Sequence, residues 1–152
     1  MMIKKLLLAL ASLVVVVIAV GGVLYLRNTT PIVPAISSAD AANPSKPYVV
    51  KLHAQWCPIC MLTKGVWSQI ETTYAGQANF VVFDFTNDAT TSASKAEAAR
   101  LGLGKFFDEN VGATGSISVL DGRTGREMAS VQGVHGFDEY RAAIDEGLRK
   151  VE

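Results

Sequence analysis

Two cysteines separated by two residues lie where the sequence changes from a strand pattern to a helical pattern. Residues 48–53 form a short β-type run with alternating and apolar side chains. From residue 58 to about residue 74, apolar residues recur at three- and four-residue steps, which predicts an amphipathic helix. The motif Trp56-Cys57-Pro58-Ile59-Cys60 therefore lies at a junction where the chain must turn from a strand into a helix.

The pattern after this motif predicts an α/β domain. Residues 80–85 are apolar almost throughout, as in a buried central strand, and residues from about 92 to 103 are Ala-rich and helical. Residues 116–120 and 127–131 flank a polar, Gly-containing turn and predict a β-hairpin. A closing helix is predicted from residue 137 to about residue 150. The order β-α-β-α-β-β-α predicts a central mixed sheet flanked by helices.

An apolar segment near the N-terminus stands outside this alternation. Nearly every residue from 6 to 26 is apolar, which is long enough to cross a hydrocarbon core of about 30 Å as a helix. A cleaved signal peptide is the alternative, but its apolar region usually has only about 7–15 residues. Lys4 and Lys5 precede the segment and Arg27 follows it, a bias that favours a cytoplasmic N-terminus. We therefore predict a single transmembrane helix within residues 1–27.

This anchor predicts a protein of the cell membrane, with its domain on the periplasmic or extracytoplasmic side. Residues 28–46 are rich in Pro, Ser and Ala and show no helical or strand period, so we predict an extended linker. Residues 47–152 are left as one domain. From residue 46 onward the chain holds 11 basic and 13 acidic side chains, which excludes the basic surface of a nucleic-acid-binding domain.

The position of the two cysteines favours redox chemistry. Pro58 suits the first turn of the predicted helix, where its missing N–H group costs nothing. Free backbone N–H groups and the helix dipole at this end favour the thiolate of Cys57. Cys60 lies one turn further on, where it can attack a mixed disulfide formed at Cys57 and release the product. We predict that Cys57 is the nucleophile and Cys60 the resolving thiol.

Two other interpretations of the cysteine pair are possible from the sequence: a metal site and a structural disulfide. His53 and His135 could complete a four-ligand zinc site with both cysteines. A permanently closed structural disulfide is the second alternative, although a two-residue loop would barely constrain the unfolded chain. Because the chain has only 2 cysteines, both in one motif, we expect neither a metal nor another cofactor.

Residues 52–60, Leu52-His53-Ala54-Gln55-Trp56-Cys57-Pro58-Ile59-Cys60, resemble the strand-to-active-site segment of the thioredoxin family. The apolar second strand, the hairpin and the entry into the last helix match that family in order and spacing. The resemblance covers roughly residues 46–150 and implies a thioredoxin-like fold. With the predicted anchor, the chain resembles membrane-tethered thioredoxin-like proteins of bacterial cell envelopes.

The resemblance implies thiol–disulfide exchange with protein dithiol or disulfide substrates and with an upstream redox partner, a role in cell redox homeostasis. Tethered envelope relatives favour the reductase direction over the oxidase direction. Around the two cysteines, the family pattern implies that substrate contacts five residues: Trp56, Pro58, Ile59, Thr114 and Gly115.

Three features depart from the thioredoxin pattern. Pro58-Ile59 replaces the usual Gly-Pro between the cysteines, and this pair influences the reduction potential. Gly115 stands where the family has a cis-proline, so we expect the Thr114–Gly115 bond to be trans. Lys51 replaces a buried acid. We expect Lys51 near the sheet edge with its ammonium in water. The alternative is an ammonium that approaches Cys60 and stabilises a thiolate.

The departures at Gly115 and Lys51 motivate a second hypothesis, in which the domain is a non-enzymatic redox-sensing or adaptor module. In that case the redox state of the two cysteines would govern the binding of a partner without turnover.

Overall fold

The structure, a computed structural model, describes residues 43–150. The predicted membrane anchor and most of the predicted linker lie outside the described residues. Between residues 43 and 150, no helix is both long and apolar enough to cross a membrane. The elements of the described chain follow in order: β1 (Tyr48–His53), α1 (Pro58–Leu62), α2 (Lys64–Thr73), β2 (Asn79–Asp84), α3 (Asp88–Arg100), α4 (Gly104–Glu109), β3 (Ser116–Leu120), β4 (Glu127–Gln132) and α5 (Phe137–Arg149).

The four strands form one mixed sheet in the order β2-β1-β3-β4. β1 pairs in parallel with β2 and antiparallel with β3. β3 and β4 form the antiparallel hairpin that the sequence predicts. β1 is therefore an inner strand, and it carries the chain directly toward the cysteine motif.

Helices cover both faces of this sheet, as the α/β pattern predicts. Successive side chains of a strand point to opposite faces, so β1 contributes to two separate clusters. Val50 and Leu52 pack with apolar residues of α3 and α4. Val49 packs with Trp67 of α2 and with residues of α5. The result is a three-layer arrangement in which α2 and α5 lie on one face of the sheet and α3 and α4 on the other.

The helix predicted from residue 58 to about residue 74 is divided at Thr63. Thr63 has φ −91° and ψ 6°, which interrupts the helix between α1 and α2. Its Oγ1 donates a hydrogen bond to the Ile59 carbonyl at 2.8 Å. A hydroxyl bonded to the carbonyl four residues earlier bends helices, because it competes with the backbone ladder. The cysteines consequently belong to a separate short helix: Cys57 caps its N-terminus, and Cys60 lies within it.

β2 lies at one edge of the described sheet, whereas its apolar run is typical of a central strand. Its only strand neighbour among the described residues is β1. Val81 and Phe83 pack under α3 and α4, while Phe80 and Val82 contact the cluster on the other face. The apolar composition of β2 thus indicates that both faces of the strand are covered. It does not indicate how many strands pair with it.

Two helical features were absent from the sequence prediction. α3 begins at Asp88, four residues before the predicted start, because Asn87 caps it by accepting a hydrogen bond from the Thr90 N–H. α4 was not predicted, since its six residues are too few to display a helical period.

The described chain enters the domain at the end of the sheet opposite the cysteines. Asn79, the first residue of β2, donates hydrogen bonds to the carbonyls of Asn43 at 2.9 Å and Lys46 at 3.1 Å. Residues 43–46, which the sequence assigns to the linker, therefore pack against the domain. Gly122 in the β3–β4 turn leaves room for them, because a Cβ there would lie 2.0 Å from the Lys46 carbonyl oxygen.

Candidate functional site

Cys57 caps the N-terminus of α1. Its extended backbone, with φ −85° and ψ 112°, turns the chain into the helix, and Pro58 fills the first helical position. The Cys57 Sγ accepts a hydrogen bond from the backbone N–H of Cys60 at 3.3 Å. The strand-to-helix junction predicted from the sequence therefore directs a backbone donor at this sulfur.

Hydrogen bonds hold the pKa of Cys57 below its ordinary value. Burial acts in the opposite direction, since the residue is only 4% exposed and a buried thiolate is disfavoured. Hydrogen bonds from the side chains of Cys60 and Thr114, and from the backbone N–H groups of Cys60 and Ile59, outweigh that penalty. The lowered pKa of Cys57 agrees with the prediction from the sequence. The contribution of the Thr114 hydrogen bond was not predicted.

Cys60 is the inner cysteine, with 1% of its surface exposed. Its Sγ donates a weak hydrogen bond to the Leu52 carbonyl at 3.7 Å. Burial and the hydrogen bond with Cys57 raise the pKa of Cys60, and the favourable effects of the Ala54 backbone and of Lys51 do not reverse this. The environment therefore separates the two sulfurs into an outer one that ionises readily and an inner one that keeps its proton.

Gly115 closes the site from the β3 side. The described residues contain no cis peptide bond, so the Thr114–Gly115 bond is trans, as expected. Gly115 has φ +85°, and a Cβ added there would lie 2.9 Å from the Cγ2 of Ile59. Its N–H donates to the Leu52 carbonyl at 2.9 Å, and its carbonyl accepts from the Gly133 N–H at 3.1 Å. Both backbone groups of Gly115 are therefore already paired within the domain.

The other predicted contact residues lie at different depths around Cys57. Ile59 and Thr114 are half-buried, and Pro58 is exposed. Trp56 is 60% exposed, and its Nε1 donates to the Thr86 carbonyl at 3.2 Å. The structure thus brings Ile59, Thr114 and Gly115 together beside the dithiol, and it turns Trp56 toward solvent at the rim.

A loop after β2 holds the segment before Cys57, and sequence reasoning missed it. The Gln55 N–H donates to Thr86 Oγ1 at 2.9 Å, and the Thr86 N–H donates to Asp84 Oδ1 at 2.7 Å. Asp84 is thereby a turn-forming side chain at the end of its strand. The available signal was the Asp-x-Thr spacing directly after an apolar strand, which is typical of an Asx-type turn.

Lys51 is buried in the inner strand β1, and the expectation of a lysine at the sheet edge is wrong. It is 6% exposed and pairs with Val82 on one side and Ile117 on the other. Its Nζ lies 5.5 Å from the centroid of the Trp67 ring. Burial lowers the pKa of Lys51, an effect that Cys60 and other acidic neighbours offset only in part.

The histidines considered as zinc ligands have separate surroundings. His135 Nε2 hydrogen-bonds with the Gln132 carbonyl at 2.9 Å. His53 has a buried Nδ1 without a hydrogen-bond partner, and burial lowers the pKa of its ring. Nowhere in residues 43–150 do three His, Cys, Asp or Glu side chains group as metal ligands.

The sheet order and the dithiol at the start of α1 define a thioredoxin-like α/β fold. The sequence model of the thioredoxin family matches residues 35–100, a stretch that includes both cysteines and ends before Gly115. Among solved structures, the chain is similar to the reduced thioredoxin pre-protein of Schistosoma mansoni. That similarity has 21% sequence identity and a TM-score of 0.44, and it covers 66% of this chain and 77% of the other. No match was found among curated protein sequences.

Proposed function

We propose that this chain is a member of the thioredoxin family and acts as a thiol–disulfide oxidoreductase on protein substrates. The observation that carries the proposal is the contrast between the hydrogen-bonded Cys57 sulfur and the buried Cys60 thiol. An easily ionised outer sulfur is the form that attacks a disulfide, and a protonated inner thiol waits to resolve the product. The family match over both cysteines supports the same chemistry.

In the reductase direction, the Cys57 thiolate attacks one sulfur of a substrate disulfide. The substrate S–S bond breaks, a Cys57–substrate disulfide forms, and the other substrate sulfur leaves and takes up a proton from solvent. Cys60 then loses its proton and attacks the Cys57 sulfur, which releases the second substrate thiolate. An upstream dithiol returns the two electrons to the new Cys57–Cys60 disulfide. The oxidase direction is the same sequence in reverse.

The setting of this chemistry is part of the proposal. The predicted anchor at residues 6–26 supports a domain held at the extracytoplasmic face of the membrane, with substrates in that compartment. The resemblance to tethered envelope proteins favours the reductase direction. The Cys57/Cys60 reduction potential tests this, because related proteins range from about −270 mV for reductants to about −120 mV for oxidants.

Two serine variants of the full-length chain, purified in nonionic detergent, test the activity. Cys57→Ser should reduce turnover of insulin disulfides by at least about 100-fold, because no sulfur is left to attack the substrate. Cys60→Ser should accumulate Cys57–substrate mixed disulfides, visible on non-reducing gels. Full turnover by Cys57→Ser would overturn the proposal. If the wild-type protein changes redox state only once per partner, without turnover, the adaptor hypothesis replaces it.

A further inference from the structure

Lys51 differs from the other described lysines in its burial. Those lysines reach solvent, whereas Lys51 lies in the inner strand β1 beneath α2, with its Nζ over the ring of Trp67. The Sγ of Cys60 hydrogen-bonds to the carbonyl of Leu52, the residue that follows Lys51 in β1, at 3.7 Å. Lys51 is therefore buried in the strand that the inner cysteine of the dithiol contacts.

The charged and titratable groups that interact with Lys51 come from three elements. Cys57 and Cys60 of α1 and Glu71 of α2 favour its ammonium form, while Lys64 of α2 opposes it. On β1 itself, Lys51 disfavours protonation of His53. Glu71 is exposed, so solvent screens its attraction for the Lys51 ammonium. Of these groups, Cys57 is the one whose charge changes on oxidation, because its thiolate becomes part of the disulfide while Cys60 is protonated in the reduced form.

We propose that Lys51 is a positioning residue that favours the reduced dithiol, because the disulfide state leaves its buried ammonium without the thiolate that matches it. A charge in a low-dielectric interior interacts strongly with a nearby opposite charge and is costly when left alone. Stabilising the reduced form makes a dithiol a stronger oxidant. This inference rests on the proposed function, and it bears on the direction in which the exchange runs.

The redox step that Lys51 affects can be written with glutathione. Two glutathione thiols supply two electrons and become one glutathione disulfide. The Cys57–Cys60 bond breaks, Cys57 becomes a thiolate, and Cys60 takes up one proton. The second glutathione proton passes to solvent. Lys51 forms no bond in this step, and it acts only through the attraction between its charge and the new thiolate.

The test compares Lys51→Met with the wild-type full-length chain in glutathione buffers at pH 7. Met has a similar length and no charge, so the equilibrium should shift toward the disulfide by at least about tenfold, or about 30 mV. Lys51→Gln, a second neutral variant, should shift it in the same direction. Lys64→Met is the matched control, because it removes an exposed ammonium nearby and should change the equilibrium by less than about twofold.

The pH profile separates a charge effect from a merely structural one. The difference between wild type and Lys51→Met should be present at neutral pH and be lost as the pH rises through the reduced-state pKa of Lys51. If both neutral variants keep the wild-type equilibrium within about twofold, the inference is overturned while the proposed function stands. If the wild-type protein does not exchange with glutathione at all, the proposed function fails first, and the inference falls with it.

Discussion

Replacing Gly115 by Ala should destabilise the domain, because both the backbone and a neighbouring side chain oppose a methyl group there. The φ of +85° lies in the left-handed region, which costs a residue with a Cβ about 1–2 kcal/mol. The new Cβ would also stand 2.9 Å from the Cγ2 and 3.0 Å from the Cβ of Ile59. Overpacking of this kind costs about 1–3 kcal/mol. We expect a total loss of about 3 kcal/mol in the free energy of unfolding.

Gly112 provides a matched control in the same connection before β3. It has φ +80°, yet nothing lies within 4 Å of an added Cβ. Gly112→Ala should therefore cost only the backbone part, about 1–2 kcal/mol. Combining Gly115→Ala with Ile59→Ala should remove the steric part, so the double variant should be less destabilised than the two single effects added together.

Urea unfolding of the reduced full-length chain, followed by tryptophan fluorescence, measures all four variants, since Trp67 is buried in the core. Equal losses for Gly115→Ala and Gly112→Ala would refute the argument from the Ile59 contact. Unchanged stability in both variants would refute the argument from the backbone. A double variant that shows simple additivity would contradict the steric coupling between Gly115 and Ile59.

Two further changes test contacts around and beyond the site. Thr114→Val removes a hydrogen bond that favours the Cys57 thiolate, so the pKa of Cys57 should rise and its alkylation rate at neutral pH should fall. Thiolate absorbance during a pH titration measures this, and an unmoved midpoint would rule out the contact. Tyr74→Phe removes the hydrogen bond to Asp145 at 2.5 Å between α2 and α5 and should cost about 1 kcal/mol in urea unfolding. An unchanged unfolding midpoint would show that this link does not stabilise the fold.

Local patterns predicted most of the fold. The bounds of β1 and β3 were predicted to the residue, because each is a short run of β-favouring residues between clear breaks. The division of the first helix at Thr63 was not, since the apolar period continues across it and only a side-chain hydrogen bond interrupts the backbone. The place of β2 in the strand order of residues 43–150 depends on pairing between distant segments, which composition does not encode.

Some features of the site could also be predicted from local sequence, whereas others depend on the fold. The junction at Cys57 and the lowered pKa follow from residues adjacent in the chain, so the sequence was sufficient for them. The contact of Ile59 with Gly115, and the hydrogen bond from Thr114, join segments more than fifty residues apart and needed the fold. Lys51 was misplaced because a lysine ordinarily carries its charge to water, and only the strand order shows that both sides of β1 are occupied.

The packing of residues 43–46 against Asn79 places the start of the described chain and the dithiol at opposite ends of the sheet. β1 begins beside that entry point and ends next to the dithiol, and its six residues span about 20 Å. A label attached directly to Asn43 would lie at the end of the sheet remote from Cys57. Such a label would leave the approach of other molecules to the dithiol unobstructed.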